Sequence, residues 1–492
     1  MPLLADSFSS PVRPVLEGRL GAISAAHPLA VAAGQEMLVA GGSAVDALIA
    51  AQAVLCVVAP DACGLGGDVL ALVHEHGHDC VAVNGAGAAP FAMRVASADG
   101  ADSITVPGIV DGWGQLNSRW GRLPLATALA PALRIARDGF PLPAPLAITV
   151  ATHRARLLRG GAGAWPLLSL AAGERFVQPA LAHLLGEIGD RGADGFYRGS
   201  AAAALVAAVR AGGGSLAHED LAAHATDIRA PLTVRFGNVR VAVQPPMAQG
   251  VLLAMALQGL AKPRDLGDVP IDHVGIELTE AAFEYRSRVG EGAALLTHDL
   301  SVNLERAGRK GGPRAYLHTA GVATADAQGM VASSLVSVFD DFGSCVFVPE
   351  LGITLNNRAG GFTDGANSAA PGKRPVHTLA PALVTGRHGT VALATPGADG
   401  QVQTLLQIIE RVFRRNEDLA TAIAAPRWRS EGGALLIEQG HAAAERLATL
   451  GHQLQVLKPG DVRFGAVVCA GTIDGVPIAV SDWRRHTWSG VT

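Results

Sequence analysis

Residues Thr319–Ser344 read TAGVATADAQGMVASSLVSVFDDFGS, and the reading of this stretch decides the fold. Two β-like runs, Leu317–Ala325 and Met330–Val338, are separated by Asp326-Ala-Gln-Gly329 and followed by a second turn, Asp340-Asp-Phe-Gly343. Small and β-branched residues between Asp/Gly turns predict short strands. Downstream, Gly352–Leu355, Leu379–Val384 and Val391–Ala394 are further candidate strands. Val402–Phe413 reads as a helix, and the last β-like runs lie near 465–482.

Working towards the N-terminus, LAVAAGQEMLVAG ends at Gly41-Gly42, a natural helix stop. Ser43, with Asp46 three residues on, comes close to a capping box, and an apolar run follows to Val58. Two helices joined by a tight glycine turn are expected. The cluster Cys63-Gly-Leu-Gly-Gly-Asp68 then leads into VLALVHE, a candidate strand. It lacks the Lys-Ser/Thr of a phosphate loop and stands before a strand, so it reads as a close-packed backbone turn. Residues near 105–142 predict a turn and two helices, and residues near 180–260 alternate helical and strand-like runs. Strands flanked by helices make an α/β layered sandwich with one shared core.

Composition narrows the function. Of 492 residues, 49% are apolar and 17% charged, so the chain has ample material for a core and disorder is excluded. Lys+Arg (39) nearly balances Asp+Glu (43), and there is no polybasic run. Neither nucleic acid nor an anionic membrane is the expected partner. The five cysteines form no CxxC pair, which argues against a structural zinc site or disulfide framework. Ala47–Pro60 is too short to span a bilayer, and Pro245-Pro246 interrupts Val241–Ala261. No secretory signal is visible, so a cytoplasmic location is expected. G-x-S-x-G and HExxH are both missing.

The ordered series of motifs is informative. AGQEMLVAGGSAVDALIAAQAVLCVVAP, GLGGD, TVPGIVDGW, LRIARDGF and QPPMAQG precede the opening stretch, and GITLNNRAGGF, PGKRPVHTLAPAL and AAPRW follow it. From Leu29 to about Arg485 the chain resembles the gamma-glutamyltranspeptidase superfamily. The resemblance implies an αββα N-terminal-nucleophile hydrolase fold. It also implies a precursor that cuts itself before a threonine seven residues ahead of an Asp-x-x-Gly turn. That threonine is Thr319, giving a large subunit 1–318 and a small subunit 319–492 from one precursor. Its hydroxyl would attack the amide carbonyl. The freed α-amine, with a reference pKa of about 7.7–8.0, would serve as the base.

Other roles carry over by position. Ser337 matches a hydroxyl that supports the nucleophile, and Gly397 and Ala398 match a Gly-Gly pair whose N–H groups hold the oxyanion. Alanine departs from that pair, and its donor is expected to survive if φ is negative. His377 and Thr378 replace a Ser-Ser pair that contacts the substrate carboxylate. Ala320 and Gly321 replace a threonine and a histidine, Phe339 replaces an asparagine, and Arg94 lies one residue out of register from a carboxylate-anchoring arginine. After Asn356-Asn357 the family carries an acid that binds an α-ammonium. Here Arg358 stands instead, with no acid expected opposite it, so Arg358 and Asn357 are expected to bind a carboxylate or carbonyl.

N-R-x-x-x-F, GKRPxHT and Gly400-Gln401-Val402-Gln403 resemble a cytoplasmic subgroup that includes oxamate amidohydrolase. The resemblance implies a threonine amidohydrolase acting on a small carboxylate-bearing amide, with no cofactor and no metal. Three alternatives stay open: a γ-glutamyl hydrolase or transferase, an acylase for larger acyl groups, and an inactive binding member of the fold. Thr363–Gly372 is the expected lid, and a homodimer of the two-subunit unit is the open oligomeric alternative.

Overall fold

The computed structural model of the chain describes residues 11–308, 311–312 and 319–492. His318, on the far side of the expected cut, lies outside the described residues. Among them, fourteen strands build two principal sheets. In chain order these are β1 Leu16–Glu17, β2 Gly21–Ala25, β3 Asp68–His74, β4 Val81–Asn84, β5 Asp227–Arg229, β6 Leu232–Phe236 and β7 Val239–Val243. They continue with β8 Ala320–Asp326, β9 Val331–Ser337, β10 Ala382–Gly386, β11 Gly389–Ala394, β12 Val468–Ile473, β13 Val476–Ser481 and β14 Trp488–Val491.

One sheet runs β14-β2-β8-β9-β3-β4-β5 and the other β1-β13-β12-β11-β10-β7-β6. The Thr319–Ser344 stretch supplies the centre of the first, with β8 and β9 paired antiparallel from Ala320↔Val336 to Ala325↔Val331. Strands from before and after residue 319 are interleaved in both sheets, so neither segment closes a core alone.

Side-chain alternation sorts the layers. Val322 of β8, Ala332 and Val336 of β9, and Val69 and Ala71 of β3 face outward, under the helices Pro28–Val39 and Ala44–Val58. The second helix starts as its sequence implies: Ser43 Oγ accepts from the Asp46 N–H at 3.1 Å, and Asp46 returns the bond to the Ser43 N–H at 2.8 Å. All of that helix is buried, which accounts for an apolar run with no polar face. On the other side, the helices Gly250–Ala261, Ile271–Phe283 and Gly400–Phe413 cover Val241, Val391 and Leu393. Helix, sheet, sheet and helix give the αββα order. No helix among the described residues is long and apolar enough to cross a membrane.

Between the sheets lies a layer rich in alanine: Ala323 and Ala325 of β8, Ala392 and Ala394 of β11, Ala470 of β12 and Ala479 of β13. Small side chains let the sheets approach closely. At Gly321 a Cβ would stand 3.0 Å from Val468 and 3.5 Å from Ala394. The glycine turn before β3 is packed more tightly still. A Cβ on Gly67 would fall 2.4 Å from the Ser337 carbonyl oxygen, and one on Gly66 would fall 2.1 Å from that of Thr354. Both glycines are fixed by backbone approach, as the motif reading expects.

Candidate active site

The register of the first sheet assembles a polar cluster at one end of the inter-sheet layer. Leu70 and Leu72 of β3, and Val331 and Leu335 of β9, point between the sheets. By the two-residue period, Asp68 and Ser337 point there too, and they are direct partners across β3 and β9. Thr319 precedes β8 on the same face as Gly321, Ala323 and Ala325. Its hydroxyl lies 3.5 Å from Ser337 Oγ, which also accepts the Phe339 N–H at 2.9 Å. Thr319 is 8% exposed and Ser337 2%, so both are buried.

Asp68 is the residue that sequence reasoning missed. Its Oδ2 accepts from Arg358 Nε at 2.8 Å and faces His377 Nε2 at 3.2 Å, while Oδ1 accepts the Gly87 N–H at 3.3 Å. All three side chains are essentially solvent-free. This corrects the expectation that no acid stands opposite Arg358: the carboxylate comes from the GLGGD turn, 290 residues away in sequence. The guanidinium also lies 4.6 Å over the Phe339 ring, a desolvated cation–π contact of about 2 kcal/mol. Two departures from the family pattern, Arg358 and Phe339, are thus one packed unit. With Nε spent, both Arg358 Nη groups are buried without a hydrogen-bond partner among the described residues.

His377 has a different place from the substrate contact expected of it. Its Nδ1 accepts the Leu379 N–H at 3.3 Å, so Nε2 carries the proton and donates to Asp68. Burial, then the nearby Arg358 charge, pulls its pKa down to about 4 against the pull of Asp68, and the ring is neutral at pH 7. Both nitrogens are occupied, which makes His377 a support for Asp68. The Asp68 carboxyl is raised by burial, but the His377 hydrogen bond and the Arg358 charge outweigh this and hold it below the ordinary carboxylate value.

Asn357 also departs from expectation. Its amide donates to Ala98 O at 2.9 Å and Asp340 Oδ2 at 2.8 Å, and its oxygen accepts the Asp340 N–H at 3.0 Å. Every donor is committed to the framework, none to a ligand. Thr378 keeps its hydroxyl without a partner among the described residues, while its carbonyl accepts from Gln249 Nε2 at 2.5 Å. Arg94 is exposed. The loop Thr363–Gly372 is braced by Asn367, which bonds Gly361 and Thr363, and by Lys373 Nζ on Ala366 and Ser368.

On the facing sheet, β11 ends at Ala394, which lies against Gly321, and the chain continues into Gly397 and Ala398. Neither N–H has an acceptor among the described residues, and the N-terminus of the helix Gly400–Phe413 follows at once. Backbone donors beside a helix N-terminus suit a developing oxyanion. Gln249 Nε2 holds the Ala398 carbonyl at 2.9 Å, and Asp399 is anchored by Arg286 at 2.7 Å. QPPMAQG is the signal that marks Gln249.

The condition set on the Ala398 donor, a negative φ, is not met, yet its N–H stays without an acceptor among the described residues. Ala398 has φ of +48° and Gly397 +125°. An alanine in the left-handed region costs about 1–2 kcal/mol, against roughly 0.5–1 kcal/mol of backbone entropy for a glycine. Ala398→Gly should therefore raise stability by up to about 1 kcal/mol, read from the urea midpoint at unchanged m-value, with activity maintained.

Comparison with known proteins is consistent with this architecture. The family model described as Gamma-glutamyltranspeptidase matches residues 30–304 and 297–491. The chain is 32% identical to the oxamate amidohydrolase proenzyme of Klebsiella pneumoniae, over 89% of this chain and 92% of that protein. It is 30% identical to an acylase ACY 1 proenzyme of Pseudomonas sp., over 98% and 95%. Among solved structures, cephalosporin acylase from Bacillus halodurans superposes with a TM-score of 0.88 at 26% identity, covering 100% of this chain and 99% of that one. A full-length family match, an αββα core and relatives that are hydrolase proenzymes together show that the chain belongs to the gamma-glutamyltranspeptidase family of N-terminal-nucleophile enzymes.

Proposed function

We propose that the chain is a self-processing threonine amidohydrolase for a small, carboxylate-bearing amide without an α-amino group, of the oxamate type. Cleavage before Thr319 frees an amine on the residue whose hydroxyl faces Ser337. In each turnover Thr319 Oγ1 attacks the amide carbon while its own amine takes the hydroxyl proton. Gly397 and Ala398 N–H groups stabilise the oxyanion, and the proton passes to the leaving nitrogen. Water then hydrolyses the ester. Ser337 holds the nucleophile in place, and the Thr378 hydroxyl is available to the acyl group.

The observation that carries the substrate class is Arg358. Its Nε is fixed by Asp68, so the edge bearing both Nη groups is presented as a fork suited to a carboxylate. Asp68 already accepts from Arg358, His377 and Gly87, and the adjacent guanidinium offsets its charge, so the site presents no unbalanced anion to a substrate ammonium. This weighs against glutathione-like substrates. The similarity to an oxamate amidohydrolase proenzyme points the same way.

The test is ammonia release from a panel containing oxamate, succinamate, glutaramate and γ-glutamyl amide. Oxamate should be hydrolysed with the highest kcat/KM, and γ-glutamyl amide at least about tenfold more slowly. Preference for γ-glutamyl amide would overturn the reading. Preference for glutaramate would move it towards the acylases.

A further inference from the structure

The helix Ile271–Phe283 carries His273 and Glu277 one turn apart on one face. His452, from the segment after the helix Ala444–Thr449, meets them, and all three are buried. One ring nitrogen of each histidine and a Glu277 carboxylate oxygen lie within 4.8 Å of one another.

We propose that His273, Glu277 and His452 form a binding site for zinc that joins the two halves of the molecule. His273 Nε2 is 2.6 Å from the Asn303 carbonyl oxygen, which can only accept, so that nitrogen carries the proton. Nδ1 is then a lone pair, 2.8 Å from His452 Nε2. A metal-binding imidazole is held in this way, its second nitrogen donating to a backbone carbonyl. Without an ion, His452 Nε2–H donates to His273 Nδ1. Zinc takes that proton's place as His452 changes tautomer, the proton passing through solvent from Nε2 to Nδ1, and two Zn–N bonds of about 2.0–2.1 Å at a tetrahedral angle need the nitrogens about 3.3 Å apart. The rings therefore separate by roughly half an ångström. Two imidazoles and one carboxylate suit zinc and exclude the oxygen-rich shells that calcium and magnesium require.

The site also grips the stretch leading to residue 319. His273 holds Asn303, Glu277 Oε1 accepts the Gly308 N–H at 2.9 Å, and Leu450 O accepts the Ala307 N–H at 2.6 Å. Its role as a staple between subunits rests on the proposed cut. Metal binding itself does not, because the ligands already converge in the single chain.

The experiment loads chelator-stripped protein with zinc chloride, desalts it and measures zinc per chain and the zinc-dependent shift in Tm. Wild type and Thr319→Ala should each retain about one zinc and gain several degrees. His452→Gln, which keeps a donor to His273, should retain none and show no shift, with amide hydrolysis unchanged. Loss of zinc from wild type on desalting, or equal retention by His452→Gln, would overturn the site. Surface histidines such as His76 and His78 would give the latter result. Because Thr319→Ala is scored alongside, failure of processing and failure of the metal site are read separately.

Discussion

Thr319→Ala is expected to remain one full-length chain and to lose amide hydrolysis by a factor of about 10^4 or more, the scale of removing a nucleophile that acts as a unit with its base. The size of the effect follows from one residue supplying both groups. Without Oγ1 the chain has no attacking atom. Without cleavage the nitrogen of residue 319 stays in a peptide bond and is no base. Fold should be unaffected, because Thr319 precedes β8 and an alanine there keeps the same backbone and a smaller side chain, losing the 3.5 Å contact with Ser337. Thr319→Ser keeps the hydroxyl and should cut and turn over more slowly. Far-UV spectra matching wild type, with one band on a denaturing gel after long incubation, check the variant.

Asp68→Leu should be the most damaging single change away from the nucleophile. It strips a fully buried guanidinium of its counter-charge and leaves the Gly87 and His377 donors without an acceptor. Breaking a buried ion pair from one side costs about 3–5 kcal/mol. For a chain of this length that is a Tm drop of about 3–5 °C, from ~2.1 cal/mol/K of unfolding entropy per residue. Adding Arg358→Met removes the stranded charge and leaves an apolar side chain on Phe339. The double variant should recover most of the lost stability, since apolar replacement of a buried pair is often neutral. It should recover none of the activity, because the carboxylate fork is gone. A cycle of the two single changes and the double change, scored for both stability and kcat/KM, separates the framework role of Asp68 from the binding role of Arg358. Recovery of turnover in the double variant would remove Arg358 from substrate binding.

Local features were legible in the sequence and long-range pairings were not. Ser43 and Asp46 announce the helix start because a capping box is written in four consecutive residues, and the structure forms both of its bonds. The turn Asp326-Ala-Gln-Gly329 separates strands whose ends beside it fall within one residue of where the pattern places them, while the expected start at Leu317 lies outside the described residues. GLGGD reads correctly as a backbone turn, but its last residue does more than end the motif. Nothing near Asp68 indicates that its partner lies 290 positions away, so Arg358 looked unpaired. His377 misled for the same reason: which ring nitrogen is occupied depends on Asp68 and the Leu379 N–H. At Ala398 the sequence leaves the sign of φ open, and the tether of its carbonyl to Gln249 together with the helix start at Gly400 accompanies a positive one. Asn357 reads as a substrate contact from its place beside Arg358, yet its amide closes a loop on Ala98 and Asp340.

The central claim is that Thr319 becomes a free N-terminus and is the acylated residue. Intact-mass spectrometry of purified wild-type protein, before and during turnover of a slow amide substrate, measures this directly. The account predicts two chains, the smaller spanning residues 319–492, and during turnover a mass increment of one acyl group on that chain alone, located on Thr319 by fragmentation. A single uncut chain with full amidase activity, or an acyl group on any other residue, would contradict it.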